Sequence, residues 1–138
     1  MFYKDHNITI NKKIVAKVFK YQKKKFDGIK FFTPNKYNMQ VGLMSHNKNH
    51  IIQPHIHINK KKIIKDMSEL LIIFSGKLKV FFYNNKNIRV RSTILNKKDM
   101  ILLIKGAHGF KVLEKLEMLE IKQGPFTGNK DKLKLKKL

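Results

Sequence analysis

Cysteine and tryptophan are missing from this sequence, arginine nearly so, and acids are scarce. Without cysteine there is no disulfide framework and no thiolate metal site. No apolar run approaches the roughly 18 to 20 residues of a membrane-spanning helix, so a soluble chain with no membrane partner is expected. The opening Met1-Phe2-Tyr3-Lys4-Asp5-His6 lacks the charged-then-apolar pattern of a signal peptide. That points to the cytoplasm. Thirty-one basic against nine acidic residues give a formal charge of +22, enough to attract phosphate backbones by counterion release. Yet Arg89 and Arg91 are the only arginines, and bidentate reading of bases or phosphates favours that side chain. Nucleic acid is therefore not the expected partner. Two explanations of the lysine excess stay open: the codon bias of an AT-rich genome, and attraction of an anionic small molecule.

What is present is a succession of short apolar runs separated by turn residues. Ile8-Thr9-Ile10 and Ile14 to Phe19 read as two strands across Asn11-Lys12-Lys13. Asp27-Gly28 is a turn signal, and Met39 to Met44 reads as a strand. Leu70 to Phe74, Leu78 to Tyr83, Ile88 to Leu95, Met100 to Ile104, Lys111 to Leu113 and Leu116 to Lys122 continue the series. Ser75-Gly76-Lys77, Asn84 to Asn87 and Asn96 to Asp99 are expected turns. Lys130 to Leu135 alternates, as an edge strand or a basic tail. No helical period persists. A single all-β domain, sandwich or barrel, is expected over 138 residues.

One stretch carries chemistry. His55 and His57 stand two apart after Pro54, so on a strand both imidazoles project from one face. Glu69 opens the next apolar run, where a carboxylate is costly to bury unless paired or metal-bound. His108 follows Gly106-Ala107 at the end of a later run. Three imidazoles and one carboxylate make a donor set for Fe, Mn, Ni or Zn. Alone, His55-Ile56-His57-Ile58 also reads as a strand with exposed histidines and core isoleucines. His46 and His50 lie in a polar loop and are expected to be exposed and without a role. Glu120, on the last strand, is a candidate general base or supporting carboxylate, or else a surface acid paired with lysine.

His-x-His, a Glu, six residues and a Gly (Glu69 to Gly76) resemble the first motif of the cupins, small jelly-roll barrels. Asp99-Met-Ile-Leu-Leu-Ile-Lys-Gly-Ala-His108 is similar to their second motif. There are departures. Eleven residues separate His57 from Glu69 where three or four are usual, Lys98 replaces a glycine, Ile104 replaces a proline, and His108 comes one residue early. The inserted Asn59 to Asp66 is expected to form a longer hairpin loop at the pocket mouth, its lysines either solvated or reaching an anionic substrate.

The resemblance, from about Gln40 to Gln123, implies a cupin jelly-roll barrel with metal ligands His55, His57, Glu69 and His108. It divides the single domain into N-terminal strands (1–38), a motif-bearing barrel (39–123) and a basic C-terminal segment (124–138). The ending Glu-Ile-Lys-Gln-Gly-Pro-Phe with Asp131-Lys132 resembles that of small cupins of bacterial surface-polysaccharide sugar pathways. The metal-free sugar-nucleotide ketoisomerases, also similar, have a His-x-His but lack the Glu and third His. These likenesses imply a metal-dependent isomerase or epimerase acting on an anionic sugar or sugar nucleotide. A non-catalytic binding or regulatory cupin and a metal-dependent dioxygenase are the alternatives. Apolar residues on both faces of several strands point to a homodimer.

Overall fold

A computed structural model describes residues 2–61, 63–64, 66–124 and 132–135. Its elements are all strands: β1 (Phe2–Ile10), β2 (Lys13–Gln22), β3 (Gly28–Phe31), β4 (Gly42–Ser45), β5 (Glu69–Tyr83), β6 (Arg89–Asn96), β7 (Met100–Leu103) and β8 (His108–Lys122). The all-β expectation holds. Among the described residues no helix is long and apolar enough to cross a membrane.

β1 and β2 form the expected hairpin. Asn11 and Lys12 take φ of 48° and 61°, the double left-handed turn whose twist matches that of the flanking strands. At the next hairpin, Asn84 Oδ1 accepts hydrogen bonds from the backbone of Lys86 (2.9 Å) and Ile88 (3.0 Å). There the side chain does the work of a turn carbonyl.

β5 is the centre of the large sheet. One edge pairs with β8 along its length; the other pairs first with β7 and then with β6. β7 continues the sheet to β2 and β1. β6 and β7 thus lie end to end along β5, joined by the turn at Asn96 to Asp99. Buried Asp99 holds that turn, accepting from Lys20 Nζ (2.7 Å) and from the backbone N–H of Tyr21 and Asn96 (2.9 Å each). The turn's backbone also engages β5: Lys98 N–H donates to Ile73 O (2.7 Å), and Ile73 N–H to Asp99 O (3.0 Å).

The connectivity forces the sheet to curl. β7 ends at Leu103 opposite Glu69, and β8 begins at His108 opposite Phe82. Five residue steps span at most about 18 Å, whereas Glu69 to Phe82 along a straight strand would span about 43 Å. β5 therefore bends. The bend falls at Gly76, with φ of 79° and register slips against β8 from Ile73 to Leu78. A Cβ at Gly76 would lie 1.9 Å from the carbonyl oxygen of Lys115. The turn expected at Ser75-Gly76-Lys77 is thus a bulged bend inside one 15-residue strand. The ladder persists on both sides of it, so β5 and β8 are each one strand where the sequence pattern suggests two.

Leu71, Ile73, Leu78, Val80 and Phe82, from both arms of the bent β5, meet Val18, Leu95 and Ile101 in the main core cluster. That cluster is the inside of the curl. On the opposite face Phe19 and Leu102 pack against Tyr3, Phe32 and Val41. β3 and β4 pair only with each other among the described strands. The result is a strongly curled antiparallel half-barrel.

Two sequence expectations fail locally. The strand expected at His55 to Ile58 is absent: the described residues of 46–68 contain no strand. Pro54 lacks an N–H, lysine and asparagine flank the segment, and no neighbouring edge pairs with it. Ile56 is 92% exposed. The strand expected from Met39 shrinks to β4 and belongs to the small sheet. Residues 132–135 form no strand, while Lys130 and Asp131 lie outside the described residues, as do Pro125 and Phe126.

Candidate functional site

Glu69 and His108 converge at the mouth of the curl. Glu69 shares a strand face with Leu71 and Ile73, and His108 pairs opposite the buried Phe82. Both side chains therefore point inward, one from each end of the bent β5–β8 pair. His108 Nε2 lies 3.2 Å from Glu69 Oε2, and its Nδ1 lies 3.3 Å from Gly106 O. Both ring nitrogens thus face oxygen acceptors, an arrangement an imidazolium satisfies at both atoms.

The hydrogen bond from His108 holds the Glu69 carboxyl below its usual range. Burial opposes that shift, and the positive charges of His108, Lys132 and Lys122 reinforce it. Just ahead of β5, Gln123 Oε1 accepts from the Ser68 N–H at 2.9 Å, fixing the entry to Glu69. Tyr83 N–H donates to Ala107 O (3.1 Å), which fixes the approach to His108.

The pair faces an open cleft of about 1190 Å³, whose wall includes Asp66, Tyr83, Arg89, Lys105 and Lys132. With Lys134, four cations against one further acid make it an anion-attracting space. Sequence reading placed the segment ending in Asp66 at the pocket mouth but missed Tyr83, Arg89 and Lys105 as wall residues. Lys105 stands between the β7 run and Gly106-Ala107-His108, the one local signal that could have marked it. Tyr83 and Arg89 reach the cleft only because β5 bends.

The other expected ligands lie elsewhere. His55 and His57 are exposed in the strandless segment, with rings 5.1 Å apart and His55 Nδ1 2.9 Å from Gln53 O. His46 and His50 stack at 4.0 Å, so His46 is half-buried rather than exposed. Glu120 is exposed, with Lys122 Nζ at 4.0 Å, and so takes the surface-acid alternative. Among the described residues no three His, Cys, Asp or Glu side chains are gathered as a metal-holding group. A catalytic zinc typically takes three protein ligands. Glu69 and His108 supply two, already bonded to each other, so this arrangement does not fit the expected metal centre. What it offers is an acid–base pair beside a cationic wall. Comparison with protein-family models, curated proteins and solved structures finds no match to this chain, so the cupin resemblance rests on its motif residues.

Proposed function

We propose that the cleft binds an anionic sugar or sugar-nucleotide metabolite and that the Glu69–His108 pair moves a proton on it, as an isomerase or epimerase does. The carrying observation is the 3.2 Å contact between His108 and Glu69 within a wall bearing Arg89, Lys105 and Lys132. An imidazole can both take and return a proton near neutral pH. Here His108 takes a proton from a carbon next to the substrate carbonyl, giving an enediol-type intermediate, and returns it to the neighbouring position. No atom is gained or lost overall. Glu69 orients the ring and stabilises the imidazolium that forms. The cations hold the phosphate or carboxylate of the substrate and keep the reacting carbon near Nδ1, the ring nitrogen that carries the lone pair while Nε2 donates to Glu69. No step depends on a metal. The sugar class comes from the likeness of the motif and terminal residues to small cupins of polysaccharide pathways.

The test is deuterium wash-in. A 4-keto sugar nucleotide incubated with the protein in D2O should gain deuterium beside its carbonyl, read by NMR. His108→Ala should slow wash-in by about 100-fold or more, the usual scale of general acid–base catalysis. Equal wash-in with His108→Ala would refute the proton-transfer role. Binding without wash-in would favour the non-catalytic sugar-binding alternative.

A further inference from the structure

β8 is an edge strand of unusual length and composition. Its 15 residues pair with β5 on one side, and no other strand among the described residues pairs with it. Typical strands have five or six residues. Phe110, Val112, Leu113, Met118, Leu119 and Ile121 are all exposed. The register sets Phe110 opposite Val80, Val112 opposite Leu78 and Met118 opposite Ile73. All three therefore lie on the inner face, exposed themselves beside core residues that are fully buried. Leu119 and Ile121, opposite Ile72 and Leu70, lie on the outer face. A long edge that is apolar on both faces is a template for another strand.

Charge selects the occupant. Within β8, Lys111, Lys115 and Lys122 balance Glu114, Glu117 and Glu120, so the strand is neutral in a chain of +22. By contrast β6, also at the sheet's edge, carries Arg89 and Arg91 and no acid. Two copies of so cationic a chain repel each other least along β8. A cationic strand edge would suit an acidic partner; a neutral apolar one suits its own copy.

We propose that β8 pairs with β8 of a second copy of this chain, extending both half-barrels into one sheet and covering the exposed apolar side chains of β8. Ten residues paired on each side would add about ten interchain backbone hydrogen bonds, the number in a typical specific interface. His108 and Phe110 open β8 and line the cleft, so the second copy forms a wall of each cleft. This assembly does not depend on the chemistry proposed for the site.

Sedimentation at about 50 µM protein should give twice the 16.3 kDa chain mass. The dimer should tighten several-fold between about 0.05 and 0.5 M NaCl, because salt screens the repulsion of like net charges; binding to a polyanion would weaken instead. Val112→Lys and Leu119→Lys together should give monomer with unchanged far-UV circular dichroism, since both sites are exposed. In the wild type, β8 amide exchange should slow as protein concentration rises. A wild-type monomer at 50 µM in 0.5 M NaCl overturns the proposal. So does a dimer that survives both substitutions with β8 exchange independent of concentration.

Discussion

Replacing Gly76 with alanine tests the bend on which the site depends. The backbone there has φ of 79°, which costs an L-residue about 1 to 2 kcal/mol. The new Cβ would start 1.9 Å from Lys115 O and 3.0 Å from Glu114 O. Both neighbours are backbone atoms of a paired strand, so relief requires β8 itself to retreat by about 1 Å or more. Overpacking of this kind costs about 1 to 3 kcal/mol. Together the two effects come to about 2 to 5 kcal/mol, a large part of the roughly 5 to 15 kcal/mol that holds a domain folded. Gly28→Ala is the matched control. Its φ is 94° with nothing within 4 Å of the added Cβ, so only the conformational cost applies. Urea unfolding, followed by circular dichroism and tyrosine fluorescence and extrapolated linearly, should place Gly76→Ala well below Gly28→Ala. Equal losses for the two variants would refute the close approach of β8 and the bend built on it.

Asp99→Ala should cost about 3 kcal/mol in the same assay, because it strips the part-buried Tyr21 and Asn96 N–H groups and Lys20 of their shared acceptor; Asp99→Asn should recover part of the loss. Glu69 is held below its usual carboxyl range in the folded state, so its pairing stabilises above the unfolded value of about 4.3. That contribution is lost as pH falls through the lower folded value. The stability gap between wild type and Glu69→Gln, read from urea midpoints between pH 3 and 7, should be constant above about pH 5 and shrink in acid. A gap that widens in acid would contradict the pairing.

Lys98 shows how motif and structure meet. It stands where the cupin pattern has glycine, and its φ of 72° is the left-handed conformation that glycine adopts most easily. Asp99 beside it bonds three partners. The motif at this position thus marks a turn that joins β6 to β7.

Local chemistry in the sequence was enough for the all-β class, the hairpin turns at Asn11-Lys12 and Asn84 to Asn87, and the choice of Glu69 and His108, which the structure brings to 3.2 Å. Alternation and turn residues act over a few neighbours, so they are legible without a fold. The tertiary structure alone decided that Ser75 to Lys77 bends a strand instead of ending it, because the neighbouring strands keep the backbone paired through Gly76. It also left His55 and His57 outside the cleft: a shared strand face requires a strand, and a strand requires an edge to pair with. None pairs with the described residues of 46–68. Glu69 meets His108 because the five-step link from Leu103 to His108 draws the two ends of β5 together, a constraint of connectivity that no residue pattern carries by itself.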